Sequence, residues 1–400
     1  MTPVAPPHLG CRPVLARADE SAFPISRTCS QRCSLSVGQT DWKADHSPWR
    51  THGVRLDAMS FRIPLRARAF PSYIHVPSSM TVSKARLVWA SVTMGRQNWA
   101  DVMSPKGWPL HVIWRASMVM GTFDLSGAPG SPLTVLPAYT DLDGTEKVTV
   151  SYFMGGVAAK LFAEELGVPW LVHFDRILRN AGVSCHGSRP DFIGIGTPPF
   201  SFKVTVEAKG TARTPQPFDV KRAKGQLKAV RARTSGRRIA WANFSILDKQ
   251  GWRIEAHDPD PEDTDQFPST SDLLASYYEP VARSMEARAD LREEEVRAEF
   301  PEVGVAIRFP ARLFAASLES DGEAIGRFLV NESRLDRNFE GLNDVGDGSR
   351  FGYLDPDRRT LEEITTAVYR GNLQEKFQNS GPTYQGFDAI SIDLDSEMWS

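Results

Sequence analysis

Cysteine is scarce in this chain: four in 400 residues, none in a Cys-x-x-Cys pair. That excludes a disulfide framework. The wide gap from Cys11 to Cys29 argues against a zinc site built from His8, Cys11, Cys29 and Cys33. No apolar run reaches the roughly eighteen residues of a membrane-spanning helix, so none is expected. The amino terminus lacks the short apolar stretch of a secretory signal, and a cytoplasmic location is the expectation. A formal net charge of −2 rules out an overall basic coat. Neither an internal repeat nor a glycine-rich phosphate loop is found, which argues against coupled nucleotide hydrolysis.

What remains is the composition of a soluble globular protein, long enough for about two or three domains. Residues 1–58 are rich in Pro, Ser, Arg and Gly without periodicity and read as disorder, or as sequence preceding a true start at Met59. Residues 59–150 read as β-rich: FRIPLRARAF, ARLVWASVTM, LHVIWRASMVMGTF, LTVLPAY and KVTVSYF are β-branched and aromatic runs between turn residues. Trp89, Trp99, Trp108 and Trp114 fall here and read as core. Asp141, Asp143, Gly144 and Glu146 read as a turn, short of a calcium loop.

The stretch from Arg189 to Gly210 reads RPDFIGIGTPPFSFKVTVEAKG. Its second half alternates, with Phe202, Val204, Val206 and Ala208 on one side and Lys203, Thr205, Glu207 and Lys209 on the other. Period-2 alternation signals a half-buried strand. Pro198-Pro199 marks a turn, so Asp191 belongs to a neighbouring strand or its end. An aspartate, a glutamate and a lysine would then meet at one sheet edge. Mg²⁺ is held by one or two carboxylates plus phosphate oxygens, and a nearby lysine can orient water or stabilise developing charge. The alternative is an ordinary strand ending in a surface Glu and Lys.

Pro190-Asp191, fifteen intervening residues and Glu207-Ala208-Lys209 together resemble the signature of the PD-(D/E)xK nuclease superfamily. The resemblance covers residues 150–255. It implies a restriction-endonuclease-like α/β core at 151–256, a central mixed sheet flanked by helices, with Asp191 and Glu207 as metal ligands and Lys209 as the catalytic lysine. It also implies a glutamate on the helix before the Asp strand. The sequence GGVAAKLFAEELG reads as a helix beginning near Gly155, with Val157, Ala158, Leu161, Phe162 and Leu166 as its apolar stripe. Glu165 falls inside that stripe and fits the role as metal ligand, with Glu164 at the edge; the competing reading is an exposed last turn. PWLVHFDRILRNAG reads as a second helix, with His173 and Asp175 structural. His186 reads as a loop residue shortly before Asp191 that could approach the substrate, with no specific feature in support.

Between Arg213 and Arg238 nine basic residues face Asp219 alone, a net charge of +8. Most such runs are solvated faces, but this one adjoins a candidate phosphate site, where phosphate contacts are needed. The helix KRAKGQLKAVRAR supplies the nucleic-acid-binding candidates Lys221, Arg222, Lys224, Gln226, Lys228 and Arg231. The resemblance puts Gln226 or Lys224 into the site. RRIAWANFSIL and WRIEAH read as two further strands. Residues 255–300 carry fourteen acids against four arginines. They read as an acidic linker (257 onward) and a charged helix starting after Pro280, and they are a candidate surface for a protein partner. Residues 301–400 read as an α/β extension with a strand at VGVAIRF.

The expectation is a Mg²⁺-dependent nuclease (Mn²⁺ substituting), acting on DNA in preference to RNA, with no membrane role and with a homodimer compatible. The alternatives are a non-catalytic nucleic-acid-binding or scaffolding module that keeps the fold, and a chance pattern beside a protein-docking helix.

Overall fold

The computed structural model describes residues 60–70, 76–94, 108–180, 188–197, 203–228, 238–257, 268–292, 294–340, 382–386 and 388–399. Residues 1–58, Trp99, His186 and Arg231 lie outside them. In chain order the elements begin with β1 (Ser60–Arg68), β2 (Ser79–Ser83), α1 (Lys84–Thr93), α2 (Trp108–Thr122), β3 (Phe123–Asp124), β4 (Thr134–Val135) and α3 (Pro137–Thr140). There follow α4 (Gly144–Glu165), β5 (Trp170–His173), α5 (Phe174–Asn180), β6 (Phe192–Ile195), β7 (Lys203–Thr211), α6 (Pro217–Lys228), β8 (Arg238–Asp248) and β9 (Gly251–His257). The remainder comprises α7 (Thr270–Glu286), β10 (Ala289–Leu291), β11 (Glu295–Phe300), β12 (Val305–Pro310), α8 (Ala311–Leu318), α9 (Gly322–Glu340), β13 (Thr383–Gln385) and β14 (Ser391–Leu394).

This is a mixed α/β protein. A seven-stranded mixed sheet runs in the order β2-β1-β9-β8-β7-β6-β5, and a five-stranded antiparallel sheet in the order β10-β11-β12-β14-β13. Strands from residues 60–83 and from residues 170–257 share the first sheet, because β1 pairs in parallel with β9. Alternation along β1 buries Phe61, Ile63 and Leu65 and exposes Arg62, Pro64 and Arg66, as period-2 geometry requires. Helix α4 packs on β7 and β8 and meets α1 on its other side. It approaches β7 closely at two glycines. A Cβ on Gly155 would lie 2.9 Å from the Gly210 nitrogen, and one on Gly210 would collide with the Ser151 carbonyl.

Several runs that read as strands are helices. ARLVWASVTM lies almost entirely in α1, capped by Ser83, whose hydroxyl accepts from the Arg86 N–H. LHVIWRASMVMGTF lies mostly in α2, and LTVLPAY yields only the two-residue β4 and the start of α3. Residues 84–93 of α1 are buried on nearly every side. An element buried all round shows no polar face, so neither the 2 nor the 3.6 period stands out. KVTVSYF belongs to α4, which starts at Gly144 rather than near Gly155. Asp143 and Glu146 form its capping box instead of a simple turn. The helix read at 169–182 is strand β5 followed by the short α5. The charged helix read after Pro280 is the end of α7, which holds Pro280 in its interior, followed by the β10–β11 hairpin. Trp89 is fully buried, whereas Trp114 is half exposed. Among the described residues no helix is long and apolar enough to cross a membrane.

A buried polar network joins the two sheets. Lys160 of α4 is fully buried, donates to the Tyr277 hydroxyl at 2.6 Å and to the Pro169 carbonyl, and sits 4.4 Å from the Trp89 ring centroid. Tyr277 in turn donates to Asp388, which also accepts from the Trp89 indole at 3.1 Å. Tyr278 donates to the Asp388 carbonyl at 2.8 Å and accepts from Trp170 at 2.8 Å. Burial lowers the Lys160 ammonium to about 8, partly offset by Asp388 and Glu164, and burial raises the Asp388 carboxyl. Tyr277 is the hinge of this network, since one hydroxyl accepts from the cation and donates to the anion. Tyr277→Phe should lower the unfolding free energy by about 1–3 kcal/mol by leaving both groups short of a partner. Urea titration followed by tryptophan fluorescence measures this, and an unchanged midpoint would contradict it.

Candidate active site

Asp191, Glu207 and Lys209 come together. Strands β6 and β7 are antiparallel with Phe192 opposite Val206 and Ile193 opposite Thr205. One step further along that register Asp191 faces Glu207, and directly opposed residues share a face with Cβ atoms about 5 Å apart. The Asp191 carboxylate accepts from the Ala208 N–H at 2.9 Å, which fixes it across the strand gap. Lys209 follows Glu207 by two residues on the same face and forms an ion pair with it.

The environment is strongly graded. The Glu207 side chain is 0% exposed and that of Lys209 36%, so the pair runs from interior to solvent. Besides Lys209, the Glu207 carboxyl is approached by the Asp191 backbone N–H and side chain, and neither of its oxygens has a further donor of ordinary geometry among the described residues. Burial first, and then the charge of Asp191, push the Glu207 carboxyl from 4.5 to about 8, against the pull of Lys209. Burial also raises the Asp191 carboxyl; Lys209 and the Ala208 N–H oppose this, and the charge of Asp175 adds to it.

Helix α6 makes the cover. Val220, Ala223 and Leu227 pack on Ala240, Ala242, Phe244 and Ile246. Ala242 pairs with Glu207 in the parallel β7–β8 ladder, so Glu207 lies on the covered face. The outward residues Lys221 and Arg222 are exposed, Lys224 and Gln226 are half-buried, and Lys228 ends the helix. Lys224 bears electrostatically on His257 of β9. That strand is two places from β7, about 10 Å across the sheet.

Glu165 does not join the site. It pairs with the Arg86 guanidinium at 2.7 Å, and Glu164 pairs with the same group at 2.8 Å. Glu164 is the buried member and also accepts from Tyr384. Helix α4 packs on the Val204, Val206 and Ala208 face of β7, opposite the Glu207 face. Gly155 meets Gly210 and Lys209 there, which leaves Glu165 ten residues, about 15 Å, further along the helix. His173 shares the α4 face: its ring lies 4.3 Å from that of Phe192, and burial depresses it to about 3. That agrees with a structural role.

No family model, curated protein or solved structure matches this chain. The functional argument therefore rests on the geometry.

Two groups beside the site were given no part in it from the sequence: Asp175, read there as structural, and Arg189. Asp175, at the start of α5, forms an ion pair with Arg189 and acts on Asp191. No spacing rule links positions 175 and 191. Their approach arises because Phe174 donates its N–H to the Asp191 carbonyl at 3.0 Å. Among the described residues no group of three or more His, Cys, Asp or Glu side chains is arranged to hold a metal. The two opposed carboxylates nevertheless suit Mg²⁺, which takes few protein ligands and keeps its waters, and Glu207 has acceptor capacity left unfilled. Zinc is a poor fit, since among the described residues neither Cys nor His takes part.

A raised carboxyl contributes stability at low pH that is lost as pH rises. In EDTA the contribution of Glu207 should be fully present below about pH 4.5 and lost as pH climbs through about 8. The wild-type urea midpoint should fall between pH 6 and pH 9, the fall should be smaller in Glu207→Gln, and Mg²⁺ should reduce it in the wild type alone. Parallel curves for the two proteins would contradict the burial argument.

Proposed function

We propose that this chain is a metal-dependent nuclease with a restriction-endonuclease-like core, hydrolysing phosphodiester bonds of nucleic acid, DNA in preference to RNA. The observation that carries the reading is the meeting of Asp191 and Glu207 across β6 and β7 with Lys209 leading outward from them. In this reading Asp191 and Glu207 would hold Mg²⁺, with Mn²⁺ as a substitute. The cation supplies neutralisation of phosphate charge and acidification of a water. Asp191 is held in place by the Ala208 N–H. Lys209 keeps its ammonium at the solvent side of the pair, where it orients the attacking water and stabilises charge developing on the phosphate. The basic outer face of α6, with Lys221 and Arg222, supplies phosphate contacts. The seven-stranded mixed sheet with helices α4 and α6 on opposite faces supports the core assignment.

A second reading, a nucleic-acid-binding module without cleavage, draws support from the engagement of Glu165 with Arg86, which leaves the site two carboxylates.

Supercoiled plasmid, single-stranded DNA and RNA incubated with Mg²⁺, Mn²⁺ or EDTA separate these readings. Cutting is expected with either metal and not with EDTA, and Lys209→Ala and Asp191→Ala should each lose about 10²- to 10³-fold or more. Glu165→Gln should cut at close to the wild-type rate, because its partner is Arg86. Binding without cutting would favour the module, and cutting that survives both site substitutions would overturn the assignment.

A further inference from the structure

Resting on the nuclease reading above, we infer that α6 carries a base-stacking platform at Phe218 and that the substrate has unpaired bases beside the phosphate to be cut. Phe218 is 72% exposed, as much as Leu291 and more than the half-exposed aromatics Tyr152 and Trp114. The helix already has an apolar face in Val220, Ala223 and Leu227, so the ring is not part of that packing. At i, i+3 and i+4, Phe218, Lys221 and Arg222 share one face, and both cations are exposed.

The position is as informative as the exposure. Only residues 212–216 separate β7 from α6, which sets Phe218 in the first turn at the Lys209 end of the strand. That turn is anchored: Asp219 accepts from the Gln216 N–H at 2.9 Å and pairs with Arg213 at 3.0 Å. The backbone under the ring is held while the ring itself stays in water. An aromatic face bordered by two cations fits a ligand that offers a π-face and negative charge every few ångströms, which is a nucleic-acid strand. Bases stacked inside a duplex present only their edges, so a ring lying on the surface can meet a base face only where the strand is open.

The test is fluorescence anisotropy on the full chain in EDTA, with a labelled 12-nucleotide single strand and a blunt hairpin duplex as probes. Phe218→Ala should weaken single-strand binding by about 5- to 150-fold, leave duplex binding unchanged and leave the salt slope unchanged. Phe218→Trp should bind the single strand as the wild type does. Lys221→Ala with Arg222→Ala should instead reduce the salt slope by about 1.4. Unchanged single-strand affinity in Phe218→Ala would overturn the platform. So would an equal loss on both probes, or a wild type that binds neither. Absence of metal-dependent cutting with the stacking signature intact would sink the nuclease reading and leave the platform standing.

Discussion

The parallel pairing of β7 with β8 governs the candidate site. Nine residues pair in register, from Lys203 with Arg238 to Thr211 with Ile246. A parallel pair cannot be closed by a tight turn and needs a crossover that returns the chain to the starting edge. That crossover contains α6, and its landing on the Glu207 face has three consequences. It helps bury a carboxylate and so raises its protonation range. It turns a basic, solvated helix face outward, with Lys221 and Arg222 twelve and thirteen residues after Lys209. It also leaves Phe218 in the first turn at the open end of the strand. The burial of the acid and the placement of the helix's cations and ring follow from one topological requirement.

The opposite face of β7 is held as firmly by different means. Gly155 and Gly210 let α4 and the strand approach until backbone meets backbone, with Gly210 directly after Lys209. Helix α4 is itself tied to α7 and the carboxy-terminal hairpin through Lys160, Tyr277 and Asp388, and to α1 through Glu164 and Arg86. Removing one member of such a buried set leaves an uncompensated charge or an orphaned lone pair. The hairpin at residues 383–394, more than 170 positions after Lys209, therefore supports the helix that backs the site. Two sheets sharing one continuous core behave as a scaffold for two carboxylates.

Strand β7 and the helix α6 were legible in the sequence because their residues alternate in kind from face to face, and β8 and β9 because β-branched and aromatic runs are bounded by turn residues. Val204, Val206 and Ala208 alternate with Thr205, Glu207 and Lys209, and Val220, Ala223 and Leu227 recur at helical spacing. The same reasoning failed for α1, α2 and the first half of α4. Residues 84–93 are enclosed by α4, α2 and β14, so Leu87, Val88, Trp89 and Ala90 are all apolar and no stripe stands out. Val148, Val150 and Tyr152 suggested a strand, and the capping pair Asp143 and Glu146, three residues apart, outweighed them. Residue propensity was a weaker guide than the helix start signal.

Local periodicity determined by itself that Glu207 and Lys209 share the polar side of a strand. The Pro-Pro pair also argued, from the sequence, for Asp191 on a separate element. These are short-range facts, carried by a two-residue repeat and a sixteen-residue separation. What each side chain finds opposite it was decided only by the tertiary structure. Glu165 met Arg86, 79 positions away, instead of a metal site. Asp175 came to lie beside Asp191, and α6 rather than α4 covered the carboxylates. Backbone geometry assigns a residue to a face of its own element, but the partner on that face comes from strand order and packing, which link residues too distant in the chain for any local pattern to record.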